Sequence, residues 1–269
     1  MSKSKRIIKN YTPLLKIKNN LLSIETECIF GEKFTVLDES SKWSYGYLNN
    51  DKYYGWVRSN CIAHQGKPDF CVVVPRTFIL DRPKTKSLTM EYLSLGSIIR
   101  VNKMIGEWAE IFFLNNNITK TGYIPKRHLI SINAFKRDWV SVAESMLGVP
   151  YKWGGKTSFG IDCSGLLQIS LKLAGKTSPR NSSDQQLSLG SDVFSKSELE
   201  LKYCLGLWNK KVRRGDIIFW KGHVGIINTN STILHANTNT QNVAIQNSKN
   251  LIKNYFKKGL IPLAIKRLE

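Results

Sequence analysis

The sequence predicts a multidomain chain, two small all-β barrels followed by an α+β domain. Three observations carry this expectation. The 269 residues exceed one ordinary domain of roughly 100–200 residues. Short strand-like runs between turn signals fill residues 23–62 and recur in the same order over 71–130. After about residue 133 the apolar period becomes helical, and three strands follow the helices.

Residues 1–20 read as a basic N-terminal arm with little periodicity before Leu14, Leu15 and Ile17. In the first β module, 21–66, the run 28–30 stops at Gly31 and 33–37 enters a polar turn. The run 43–47 then alternates aromatic and small residues as a half-buried strand does, and 54–57 ends on Gly55, Trp56 and Val57. The second module, 67–133, repeats this with 71–74, 97–101, 107–113 and 121–125, ending on Gly122, Tyr123 and Ile124. A short closing segment follows each copy, at 58–62 and 126–130, and residues 64–68 read as the linker.

The third domain, 134–269, opens with a helix over 138–147, where Trp139, Val142, Ala143 and Met146 share a face. Gly148 and Pro150 are its stop signals. A second helix is expected over 164–174, with Leu166, Leu167, Ile169, Leu171 and Leu173 buried and Gly175 ending it. A polar Ser- and Asn-rich stretch precedes strands at 216–220, 223–227 and 232–236.

The net charge of +20 favours anionic partners in general, such as nucleic acid, membrane surface or wall polymer. Lys supplies 29 of the 40 basic residues and is scattered along the chain, so it reads as solvated surface, and no specific nucleic-acid partner is expected. No run approaches the roughly 18 apolar residues of a membrane span. The basic start, residues 1–9, is followed by no apolar stretch of the kind that secretory signals carry, and a cytoplasmic location is expected. The five cysteines are odd in number and show neither CxxC pairs nor zinc-like spacing with His. A reduced chain with no metal and no cofactor is the simplest account.

Cys163 stands at the expected start of the second helix, where unpaired N–H groups and the helix dipole stabilise a thiolate and could hold an oxyanion. Cys28, Cys61, Cys71 and Cys204 sit in apolar surroundings and read as core. A thiolate needs a base, and the base needs orienting. Of the four histidines, His64 falls in the linker and His128 in a basic strand end, both read as surface. A hairpin register pairing Ile227 with Ser231 would set His223 directly opposite His235, with His223 as base and His235 holding it. A one-residue slip would separate them.

Read together, P-Y-K-W-G-G at 150–155, D-C-S-G at 162–165, G-D-I-I-F-W at 215–220, H-V-G-I at 223–226 and L-H-A at 234–236 closely resemble the NlpC/P60 family of cell-wall cysteine peptidases. The two β modules are similar to bacterial SH3 (SH3b) modules. The resemblance implies a papain-like fold for 134–269, with Cys163 as nucleophile, His223 as base and His235 completing the triad. It implies substrate-binding roles for Tyr151, which lines the site in that family, and for Asp162 and Ser164 beside the nucleophile.

SH3b modules before such a domain resemble the subgroup that cleaves γ-D-glutamyl–diamino acid bonds, with Dap or Lys in the third position of peptidoglycan stem peptides. A cytoplasmic member would recycle muropeptides. In that subgroup an aromatic residue of the first module caps the pocket, which points to Tyr54 or its neighbour Tyr53. An Arg-Asp-Ser/Ala segment holds the substrate amine and maps to Arg180, Asn181 and Ser182, where Asn181 replaces the charged residue. Charge-assisted hydrogen bonds are about twice as strong as neutral ones, and Asp184 is close enough in sequence to compensate. Ser182, Ser183 and Asp184 also read as a helix N-cap. A second reading makes the chain a wall-polymer or polyanion binder with a vestigial hydrolase site.

Overall fold

The computed structural model describes residues 3–115 and 118–269 and divides into two compact units. The first comprises Met1–Phe135 together with Trp153–Ser158, and the second Lys136–Lys152 with Phe159–Glu269.

The first unit begins with a sheet of seven strands: β1 (Lys3–Ile7), β2 (Tyr11–Leu15), β3 (Ile24–Ile29), β4 (Lys33–Glu39), β5 (Trp43–Leu48), β6 (Tyr54–Arg58) and β7 (Ile62–Ala63), ordered β3-β2-β6-β5-β4-β1-β7. The expected basic arm is therefore strands β1 and β2. Lys3, Lys5 and Ile7 are spaced by two on one face of β1, and burial rises along the strand to the fully buried Ile7. Spacing by two is a strand signal that a charge-based reading passes over. Ile7, Leu14, Cys28, Phe34, Leu48 and Val57 form the core of this module.

The second set of strands is β8 (Phe70–Val72), β9 (Arg76–Leu80), β10 (Thr89–Ser94), β11 (Ile98–Ile99), β12 (Val101–Ile105), β13 (Trp108–Asn115), β14 (Ile118–Pro125) and β15 (Leu129–Ser131). They make sheets ordered β10-β9-β14-β13-β12 and β11-β8-β15 around Val72, Ile79, Leu93, Ile111, Phe113 and Ile124. Phe30, from the β3–β4 turn, is buried in this second core. The glycine shared by both repeats has one cause. A Cβ on Gly55 would lie 2.5 Å from Leu14, and one on Gly122 would lie 2.2 Å from Ile79, because a neighbouring core side chain packs directly on the strand.

Residues of the P-Y-K-W-G-G stretch and its extension are held by this first unit. Glu27 donates its backbone N–H to the Gly154 carbonyl at 2.8 Å, and the Lys156 N–H donates to the Glu27 carboxylate at 3.0 Å. Lys156 Nζ donates to both Glu32 oxygens at 3.2 and 3.3 Å, with both side chains buried. The Ser158 N–H donates to Ser94 Oγ at 2.9 Å, and Arg76 donates to the Ser158 carbonyl at 3.1 Å. The short strand β16 (Lys156–Thr157) lies in this segment.

In the second unit, α1 (Trp139–Glu144) is shorter than expected, closing in turns before Gly148. Next come β17 (Gly160–Ile161) and α2 (Cys163–Leu173). The polar Ser- and Asn-rich stretch contains α3 (Ser182–Ser188), β18 (Ser191–Asp192) and α4 (Leu201–Lys211). Cys204, Trp208 and Val212, spaced by four, are buried in the core, a helical signal that the sequence reading passed over. β19 (Ile217–Trp220), β20 (His223–Thr229) and β21 (Thr232–Asn237) are the three expected strands. β22 (Asn242–Asn247), α5 (Ser248–Lys257) and β23 (Ala264–Arg267) complete a six-stranded sheet with α5 packed against it, ordered β18-β23-β19-β20-β21-β22. Among the described residues no helix is long and apolar enough to cross a membrane.

Candidate active site

α2 begins at Cys163 because Asp162 caps it, its carboxylate accepting from the Gly165 N–H at 2.7 Å. Arg180 grips the same carboxylate through two nitrogens, at 3.0 and 2.6 Å, and donates to Ser164 Oγ at 2.7 Å. Ser164 Oγ in turn donates to Asp162 at 3.3 Å. Asp162, Ser164 and Arg180 are all buried. The structure thus brings these three expected binding residues together as partners of one another, bracing the turn that presents Cys163. Gln185, fully buried, adds bonds to the Ser164 and Pro179 carbonyls at 3.0 and 2.9 Å, tying α3 to the same turn.

The second half of the site lies on β20 and β21, both packed against α2. The observed register pairs Ile226 with Leu234 and Ile227 with Ile233, then shifts to pair Thr229 with Thr232. This differs by two residues from the expected pairing of Ile227 with Ser231, and His223 is not directly opposite His235. A shift of two returns every side chain to its own face. The histidines are therefore diagonal neighbours, a separation that two imidazoles span better than a directly opposed pair. His223 Nε2 and His235 Nδ1 are 2.8 Å apart. His235 Nε2 lies 2.7 Å from Gln246 Oε1 on β22.

The backbone N–H groups of Val224, next in the chain to His223, and of Ser164 favour the charged form of the Cys163 sulfur. Trp220 stacks on His223 with centroids 5.7 Å apart, and Tyr255 of α5 meets the same ring edge-on at 5.9 Å. The sequence reading missed Trp220, Gln246 and Tyr255. Their one signal was the apolar run of β19, the place of Gln246 on β22 and helical spacing on α5, which mark elements without saying what they face.

Burial dominates the electrostatics. It pushes the Cys163 thiol up to about 12, and the neighbouring Asp162 carboxylate adds to the rise. The Val224 and Ser164 N–H groups and Arg180 oppose it without prevailing, so the thiol lowering expected from the helix start is not realised in the resting protein. Burial, then His235, lowers His223 to about 3, and burial lowers His235 to about 4 against the Gln246 bond. The resting site holds a neutral thiol and two neutral imidazoles. In that state Cys163 and His223 form no standing ion pair.

Tyr151 is half-buried, its N–H donating to the Gln241 carbonyl at 2.8 Å, and burial and Cys163 push its hydroxyl up to about 12. Asn181 is the N-cap residue of α3 and is exposed, its amide 3.3 Å from Asp184, with Ser182 as the first residue of the helix. The helix start read at 182–184 is thus present, with its N-cap position one residue earlier and no side-chain capping bond from Asn181. Tyr54 belongs to the first unit, half exposed on β6 and paired with Tyr47 at 5.0 Å. Tyr53 donates to Glu25 at 2.7 Å there. His64 is exposed as expected, whereas His128 is half-buried, its Nδ1 2.8 Å from Thr77 Oγ1.

Comparison with known proteins agrees with this arrangement. Residues 148–261 match the NlpC/P60 family, and residues 23–62 match the bacterial dipeptidyl-peptidase Sh3 domain. The chain is 25% identical over 177 residues to gamma-D-glutamyl-L-lysine dipeptidyl-peptidase of Bacillus subtilis, covering 60% of this chain and 57% of that one. It is 29% identical over 170 residues to dipeptidyl-peptidase 6 of Lysinibacillus sphaericus, covering 59% and 56%. The chain thus spans little more than half the length of these curated relatives. An NlpC/P60 family protein of Bacillus cereus shares the fold over 98% of this chain and 99% of its own, with a TM-score of 0.79 at 17% identity. The helix that starts at Cys163 and the sheet that carries His223 and His235 are thus parts of an NlpC/P60 domain, which follows a bacterial SH3 domain in this chain.

Proposed function

We propose that the chain is a cysteine peptidase that hydrolyses the γ-D-glutamyl–diamino acid bond, with Dap or Lys, of peptidoglycan stem peptides. The observation that carries this reading is the 2.8 Å bond between His223 Nε2 and His235 Nδ1, on strands packed against the helix that starts at Cys163. The name of the Bacillus subtilis relative supports the substrate class, and that of the Lysinibacillus relative supports a dipeptidyl-peptidase. We also read the second β module as a second SH3 domain, because it repeats the strand order and the buried glycine of the first. The helix α2, starting at the nucleophile and lying on the histidine strands, supports a papain-like fold.

In this mechanism the bond to His235 occupies His223 Nε2, so Nδ1 takes the thiol proton. The Cys163 sulfur attacks the γ-carbonyl carbon of D-Glu while N–H groups at the start of α2 receive the oxyanion. The C–N bond breaks, the amine leaves with the proton held on His223, and water hydrolyses the thioester to regenerate the thiol. Asp162, Ser164 and Arg180 act here by fixing the helix start. Tyr151, Asn181 and Ser182 are the groups offered to substrate.

The test is mass spectrometry of digests of L-Ala-γ-D-Glu-Dap and its N-blocked form. Wild type is expected to release L-Ala-D-Glu, and Cys163→Ala to lower the rate by on the order of 10⁴ or more with the fold intact. Undiminished cleavage by a folded Cys163→Ala protein overturns the mechanism. Failure of the wild type on both peptides moves the assignment toward the wall-polymer binder. A muropeptide-recycling role in the cytoplasm is proposed with this activity, and recovery of the protein chiefly from periplasm or medium would overturn that part.

A further inference from the structure

Gln246 has no place in the mechanism above, yet it ends the chain of bonds that begins at the base. We propose that Gln246 is a positioning residue whose carbonyl oxygen sets the tautomers of both histidines and so leaves His223 Nδ1 free to accept the Cys163 proton. The proposal rests on the peptidase reading of the site.

The argument follows the hydrogens. A carbonyl oxygen can only accept, so Gln246 Oε1 at 2.7 Å requires the hydrogen of neutral His235 on Nε2. His235 Nδ1 then carries a lone pair and accepts from His223 at 2.8 Å, which requires the hydrogen of His223 on Nε2. The remaining nitrogen, His223 Nδ1, has the lone pair. Were a donor in place of Oε1, each bond would reverse, and His223 Nδ1 would carry a hydrogen and could take no proton from the thiol. Because both rings are buried and neutral, neither escapes the choice by picking up a second proton. The geometry comes from the sheet. In the β21–β22 pairing His235 is opposite Ala244, a side chain too short to meet the ring, and Gln246, two residues on along the same face, reaches it diagonally.

The tests are Gln246→Leu, which removes the acceptor at similar size, and Gln246→Glu, which keeps an acceptor that cannot rotate into a donor. Gln246 is only half-buried, so both variants are expected to fold. With only four histidines in the chain, ¹⁵N-labelled imidazoles can be assigned by single substitutions and their tautomers read from long-range ¹H–¹⁵N spectra. Wild type is expected to show His235 protonated on Nε2. Gln246→Leu is expected to lose that signature and about tenfold to a hundredfold in kcat, the size of one lost buried hydrogen bond. Gln246→Glu is expected to retain the tautomer and remain within a few-fold of wild type. If wild type cleaves, Cys163→Ala does not, and Gln246→Leu keeps both the tautomer and the rate, this proposal is overturned while the peptidase reading stands. If wild type cleaves nothing, the peptidase reading fails, and the spectra alone decide whether Gln246 sets the tautomers.

Discussion

The carboxylate of Asp162 does three tasks within a few ångströms, capping α2, receiving two nitrogens of Arg180 and accepting from Ser164. Its negative charge also raises the adjacent thiol, so Arg180 offsets part of the disturbance that the cap itself creates. Removing one partner of a buried pair leaves the other charge in low dielectric, whereas removing both does not. Arg180→Met is therefore expected to lower unfolding free energy by about 3 kcal/mol, and Asp162→Asn with Arg180→Met to recover part of that loss. Equilibrium denaturation checks this, and a single variant as stable as wild type would contradict it.

Strand pairing decides whether two histidines twelve positions apart become neighbours. β20 and β21 are buried on both faces, so the register decides which side chains meet and how far apart they lie along the strands. Putting both rings on the buried side has a cost in acid. Their ordinary value is 6.5, and in the folded chain they fall to about 3 and about 4. Above about pH 6.5 the folded and unfolded chains are both unprotonated at these sites, and full stability is present. As pH falls below that, the unfolded chain binds protons that the buried rings refuse, so stability drops by about 1.4 kcal/mol per pH unit for each histidine. Between pH 6.5 and 5, Cys163→Ala protein is expected to lose stability more steeply than the same protein with His223→Gln and His235→Gln added. Equal slopes in denaturation curves would show that the imidazoles titrate normally.

The molecule as a whole is two units with separate cores, and the chain passes from the second unit into the first and back at 153–158. Those six residues are secured in the first unit by a buried ion pair, Lys156 with Glu32, and by backbone bonds to both β modules. Glu32 also accepts from the Ile29 N–H at 2.9 Å, so the pair holds the β3–β4 turn as well. Lys156→Met is expected to destabilise the first unit by about 3 kcal/mol. Thermal unfolding followed by tryptophan fluorescence measures this, and an unchanged transition would mean that the backbone bonds alone suffice.

The order of elements and the chemical residues were legible in the sequence because each rests on local physics. Gly55 and Gly122 marked a repeat, Gly175 ended a helix, and Cys163, His223 and His235 stood out as residue types that carry acyl-transfer chemistry. Residues 3–15 were misread because a short strand rich in Lys and Arg looks like an arm until the partner strand is known. α4 was passed over because apolar residues at 201, 203, 205 and 207 fall around the helical positions of Cys204, Trp208 and Val212 and blur the period. Only the tertiary structure could set the two-residue difference in register, the bond to Gln246, the aromatic pair Trp220 and Tyr255, and the neutral charge state of the site. Each depends on which distant segments exclude water from the same few atoms, and that is a property of packing which no local spacing encodes.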